Sequence, residues 1–144
     1  EESCEVALPD LEMQDAELMT WDQIKEIAES NCAIGSHTYS HPVLANESRQ
    51  RQKEEIRKSK ELIENMIGKR VRSIAYPVGD NKHFNEVSID LAEEAGYEIG
   101  FSYDNGFNTW GRIDPYRIRR ISGPSKAEIL SLIAALPTCL EKFA

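Results

Sequence analysis

The sequence predicts an α/β fold, with parallel strands joined by helices. Three observations carry that prediction. Short apolar runs bounded by turn residues alternate with capped amphipathic segments at the spacing of βα units. The order reads helix, strand, helix, strand, helix, strand, loop, strand, helix within 144 residues, a length suited to one domain. The two least ordinary loops, "SHTYSHP" (36–42) and "PVGDNKHFN" (77–85), each follow a strand. In parallel α/β folds ligands gather at the carboxyl ends of strands, so both loops open on one face.

Each element has a local reason. Residues 1–18 are acid-rich without a clean period and read as an arm. In "MTWDQIKEIAES" (19–30), Thr20 and Gln23 form a capping box, and Ile24, Ile27 and Ala28 make one apolar face. "CAIGS" (32–36) reads as a short buried strand, with Cys32 in the core. A polar connection leads to a helix from about Arg49 to Ile67. Ile56, Ile63 and Ile67 share its face, with Leu62 and Met66 beside them, and Gly68 stops it. Glu54–Lys58 and Lys60–Glu64 are i,i+4 pairs expected on its wet side. "VRSIAYP" (71–77) is the next strand. A helix starts near Asn85, buries Val87, Leu91 and Ala95, and ends at Gly96. "YEIGFSY" (97–103) and "YRIRRIS" (116–122) are strands around the loop 104–115, and a capping box at Ser125–Glu128 opens a last helix through Leu136. The strands at 32–36, 72–76, 98–102 and 117–121 are expected to be parallel neighbours, with helices outside.

Composition narrows the function classes. Hydrophobic residues are 40%, charged residues 29%, and the net charge is −8, the balance of a folded globular domain. A nucleic-acid partner is excluded, because phosphate contacts need clustered Lys and Arg and the one basic run, "YRIRRI", is short and interleaved with apolar residues. Cys4, Cys32 and Cys139 show no metal-binding spacing; they read as free thiols, with a Cys4–Cys139 bridge left open. No apolar run approaches the roughly 20 residues of a membrane span, and no signal peptide is visible in these residues.

Two of the three histidines, His37 and His41, sit four residues apart in "SHTYSHP". Imidazoles at that spacing converge on one metal ion if the loop makes a helical turn, and are otherwise a structural pair. A catalytic metal usually takes three protein ligands and an open position, and the local sequence supplies no third. His83 is either a solvated loop histidine or a substrate contact. Asp80 beside it can bond backbone or a sugar hydroxyl, and Tyr39 and Trp110 can stack on sugar rings or pack internally.

"MTWDQIKEIAESNCAIGSHTYSHPVL" resembles the central stretch of the polysaccharide deacetylases, the NodB-homology group of carbohydrate esterase family 4, with their "G-S-H-T-x-x-H-P" signature. "AYPVGDNKHFN" is similar to the next motif, which usually ends in proline-aromatic-glycine. "AEEAGYEIGFSYDNG" and "RIDPYRIRRI" are similar to the exopolysaccharide branch, and the likeness runs from about Leu18 to Leu136. The resemblance implies a distorted, incomplete (β/α) barrel, an N-terminal acidic arm at 1–18 and a partial deacetylase-like domain at 19–144. It implies a hydrolase that removes acetyl groups from a polysaccharide of N-acetylated hexosamines. It also implies a divalent metal, commonly zinc, held by an aspartate and by His37 and His41, which would polarise the acetamide carbonyl and water. The N–H of Val78 matches the oxyanion donor, and Pro77 belongs to the same substrate-binding motif.

Four departures qualify the resemblance. The family's adjacent aspartates, one a base and one the third ligand, have no counterpart; Asp10, Asp15 and Asp22 do not follow a buried strand. The N-terminal βα unit is therefore expected to be missing, and the chain alone to be inactive. Val78 replaces an aromatic. Ala75 stands where many members carry an arginine that orients the base; Arg120 is the candidate replacement, or else a surface strand arginine. The late histidine motif is absent. An open sheet edge would invite self-association. The alternative is a non-catalytic carbohydrate-binding or vestigial domain. The resemblance implies a bacterial protein and leaves its compartment, envelope or cytoplasm, open.

Overall fold

A computed structural model of the chain describes residues 18–30, 32–109, 111 and 113–121. The arm 1–17, Trp110, Cys4, Cys139 and the expected helix at 125–136 lie outside these residues.

Helix α1, Trp21–Glu29, begins where Thr20 and Gln23 cap each other reciprocally, as their spacing predicts. Helix α2, Arg49–Ile67, starts at the Ser48 cap and stops at Gly68, whose φ of 67° continues the chain in the left-handed region that glycine tolerates. Helix α3, Glu86–Glu94, opens with a reciprocal Asn85–Ser88 cap.

Three strands form one parallel sheet in the order β1, β2, β3: Ser73–Ala75, Ile99–Asn105 and Ile118–Arg120. Ile74 pairs with Gly100 and Phe101 with Ile118; between Phe101 and Asn105 the register of β2 against β3 shifts. All three strands run parallel, as expected.

The segment 32–36 departs from expectation. It is not a strand: only Ser36 forms a bridge, parallel to Ile74, through its N–H to Ser73 O at 2.9 Å and Ala75 N–H to its own O at 2.8 Å. A strand in a parallel sheet needs cover on both faces. Here Cys32, Ala33 and Gly35 are exposed, and only Ser36 is buried. Cys32 is therefore an exposed free thiol and not a core residue.

The core is built from Leu44, Ile56, Val71, Ile74, Tyr76, Phe84, Leu91, Ala92 and Tyr97, with Ile63, Ile67, Val87 and Ala95 packed against it. Tyr76 and Phe84 stack at 4.1 Å, and Gly100 leaves room for the Tyr76 hydroxyl, which a Cβ there would approach to 2.5 Å. Lys60 corrects a second expectation. It is buried, not wet: its ammonium bonds the Val71 carbonyl, pairs with Glu64 at 3.1 Å and lies 4.5 Å from the centre of the Tyr97 ring. Leu62 stays 40% exposed. No described helix is long and apolar enough to cross a membrane.

Candidate functional site

The two singled-out loops meet at the carboxyl end of β1. Ser36, bridged to β1, delivers the chain into "HTYSHP", while β1 itself runs on through Tyr76 and Pro77.

The structure brings His37 and His41 together. Their rings lie edge to face, with centroids 4.8 Å apart and planes at 71°. His37 Nδ1 sits 2.7 Å from the carbonyl oxygen of Ala75. A carbonyl can only accept, so Nδ1 carries a proton, and in the neutral ring that leaves Nε2 its lone pair, the arrangement that orients a metal-binding imidazole. Both rings are exposed. The backbone beneath them is strained: Thr38 has φ of 65° and His41 of 58°, values uncommon outside glycine. Thr38 Oγ1 is buried and unpaired among the described residues.

A carboxylate that the sequence reading missed lies under this turn. Glu55 of α2 is 1% exposed and accepts from Tyr39 N–H at 2.9 Å, Ser40 N–H at 2.7 Å and the Ser40 hydroxyl at 2.6 Å. Arg51 reaches the same carboxylate at 2.8 Å. Burial raises the pKa of Glu55, but the hydrogen bonds from Ser40 and Tyr39 and the charge of Arg51 outweigh it, leaving the carboxyl below its ordinary range. One helical turn on, buried Ser59 accepts a hydrogen bond from Ser36 at 2.8 Å. Gln52, Glu55, Ile56, Ser59 and Lys60 recur at helical spacing and form the buried stripe of α2; four of the five are polar where apolar periodicity would be expected, so only the fold shows Glu55 to be buried.

The second loop is shaped by its backbone. Gly79 N–H donates to Pro77 O at 2.6 Å, and Gly79 O accepts from Tyr103 N–H at 2.7 Å, tying the turn to β2. Pro77 is fully buried, so it shapes the turn from within. Val78 is 48% exposed at φ of 58°, and its N–H has no backbone acceptor among the described residues. Asp80 accepts from Lys82 N–H, a bond that with the nearby His83 holds its carboxyl low. His83 is half-buried, 2.5 Å from Asp80 Oδ1, and its carbonyl accepts from Ala45 N–H. Tyr39 is exposed beside the histidines.

Arg120 is exposed on β3, as the surface-arginine alternative expects, but it is held in place. Its Nε donates to Ser102 O at 2.8 Å and its guanidinium lies 5.1 Å from the centre of the Tyr103 ring. Tyr103, 58% exposed and bonded to Gly79, is a second residue that sequence reasoning passed over.

For a divalent metal, the donor chemistry fits in part. His37 and His41 offer two adjacent imidazoles, one of them tied through Nδ1 to Ala75 O. No group of three His, Cys, Asp or Glu that could hold an ion occurs among the described residues.

Comparison with known proteins shows the family and the fold. Residues 11–100 match the profile of the family described as polysaccharide deacetylase. YxkH of Bacillus subtilis strain 168, named for the same family, is 36% identical over 88 residues, which cover 61% of this chain and 30% of YxkH. The Streptococcus pyogenes deacetylase PplD, solved with acetate, superposes with a TM-score of 0.67 at 25% identity over 83% of this chain and 53% of its own. The BpsB deacetylase domain of Bordetella bronchiseptica gives 0.63 at 27% identity over 72% of this chain and 48% of its own. IcaB of Ammonifex degensii gives 0.68 at 21% over 82% and 53%, a likeness of fold. The chain thus spans about a third of YxkH and about half of each solved relative.

Proposed function

Because the chain belongs to the polysaccharide deacetylase family, we propose that it forms part of a metal-dependent hydrolase that removes N-acetyl groups from a bacterial polysaccharide of N-acetylated hexosamines. The observation that carries this reading is the histidine pair: His37 with Nδ1 tied to Ala75 O and Nε2 free, and His41 with its ring 4.8 Å away. Acetate is the product such a reaction releases, and one similar deacetylase was solved with acetate.

In this reading residues 19–144 are one partial domain and His37 and His41 hold a divalent ion, most simply Zn2+. When bound, the ion supplies Lewis acidity toward the acetamide carbonyl. In this reading the Val78 N–H, which lacks a backbone acceptor among the described residues, is the donor to the developing oxyanion. Tyr39 offers a ring face to a sugar, and Asp80 and His83 offer polar contacts at the rim. In the same reading Arg120, held by Ser102 O and Tyr103, is the candidate to orient a carboxylate base. The sequence has no adjacent aspartates to supply that base or a third ligand. Two donors bind zinc weakly, so this chain by itself should turn over little substrate.

A second reading, a carbohydrate-binding domain without catalysis, is favoured by the lack of a three-donor group among the described residues. Calorimetric zinc titration separates the two, on this chain and on one extended upstream by an aspartate-bearing strand. The hydrolase reading expects tighter binding and acetate release from an N-acetylglucosamine oligomer in the extended chain, both lost in His37→Ala and His41→Ala. Glycan binding with no metal binding in either chain establishes the second reading.

A further inference from the structure

We propose that Glu55 is the positioning residue of the histidine turn: a buried carboxylate on α2 that fixes where both imidazoles stand, whether or not a metal is present. The proposal rests on the deacetylase reading only for what the rings would hold.

Thr38 and His41 both have positive φ, and such residues persist only where the surroundings over-determine them. The two residues between them supply every donor that Glu55 receives from the turn. The successive N–H groups of Tyr39 and Ser40 converge on Oε2, and the Ser40 hydroxyl reaches Oε1. Successive N–H groups after a left-handed residue make a concavity that accepts an anion. Here the anion is part of the protein, and Arg51 joins the cluster, reaching Glu55 Oε1 at 2.8 Å and donating to Ser40 Oγ at 3.2 Å.

A second tie makes the placement specific. Ser36 bonds Ser59, which lies four residues after Glu55 and therefore on the same face of α2. The helix thus grips the chain immediately before His37 and immediately before His41. With both points held, His37 meets Ala75 O and takes one tautomer. The site demands a carboxylate of this length. Glutamine would turn an amide N–H2 toward N–H donors, and aspartate is one methylene short.

The test uses the full chain, labelled with 15N and free of metal, with two-bond 1H–15N correlations reporting each imidazole tautomer above the histidine pKa. The parent chain is expected to show His37 as the Nδ1–H form. Glu55→Gln should leave a mixture of tautomers and weaken zinc binding, by titration with zinc alone, by about ten- to a hundredfold. Ile56→Val, which trims the neighbouring buried residue, serves as the stability control; it should lower the melting temperature and leave the tautomer and zinc affinity unchanged. Retention of the Nδ1–H form and parent affinity in Glu55→Gln overturns the proposal, as do equal losses in Ile56→Val or a parent His37 without that form. If the parent binds no measurable zinc yet Glu55→Gln loses the tautomer, the positioning role stands, and the metal reading is decided by the chain extended with the aspartate-bearing strand.

Discussion

The two loops at the carboxyl end of β1 reach a similar result by opposite means. The turn 36–41 is held by side chains, through Glu55 and Ser59 of one helix, and two of its residues have positive φ. The turn 77–79 is held by backbone, through Gly79 to Pro77 and Tyr103, with strain at Val78. A turn built on a buried carboxylate concentrates its stability in one titratable group. A turn built on the main chain is indifferent to most side chains and intolerant of a Cβ in the wrong place. The histidine turn should therefore fail on chemistry and the Val78 turn on sterics.

The largest expected effect is that of Glu55→Ala. It strands three donors and an arginine around an emptied site, and should cost about 3 kcal/mol in a urea unfolding measurement. Gly79→Ala comes next. Its Cβ would lie 2.7 Å from Tyr76 O and 3.1 Å from Tyr103 N at φ of 73°. Backbone strain of that kind costs about 2 kcal/mol. The comparison sharpens if the His37 tautomer is lost in the first variant and kept in the second.

The pH dependence should follow the same division. The folded pKa of Glu55 lies below its unfolded value near 4.5. Its contribution is therefore complete above that value and is lost as pH falls through the folded pKa. The urea midpoint should hold steady from neutral pH down to that region and then drop. In Glu55→Gln the drop should shrink, leaving the part due to Glu64, whose carboxyl is also held low, against its burial, by Val71 N–H and Lys60. The smallest effect belongs to the second loop. Asp80→Ala removes an exposed bond to Lys82 N–H and should not move the midpoint measurably.

How much of this was legible depends on whether the signal is local. The caps at Thr20, Asn85 and Gly68 act within one turn, and the helix starts and stops they set are those read from the sequence. The strand expected at 32–36 is not local. Its apolar run can pair only through Ser36, so Cys32 ends exposed. Lys60 shows the same limit, because the carbonyl, carboxylate and ring that make its burial tolerable come from distant turns as well as from its own helix. In the site, the histidine spacing was legible and the reason it works was not. Glu55 looks in the sequence like one more acid on a charged helix, and only folding places it beneath residues 15 and 16 positions earlier.

The most direct measurement is a crystal structure of the chain soaked in zinc, with an anomalous map collected at the zinc edge. The account predicts a peak at ~2.0–2.1 Å from His37 Nε2 and from one nitrogen of His41, with His37 Nδ1 still on Ala75 O. A map with no peak at the pair, or one showing the ion on His37 Nδ1 after the Ala75 bond has broken, would contradict it.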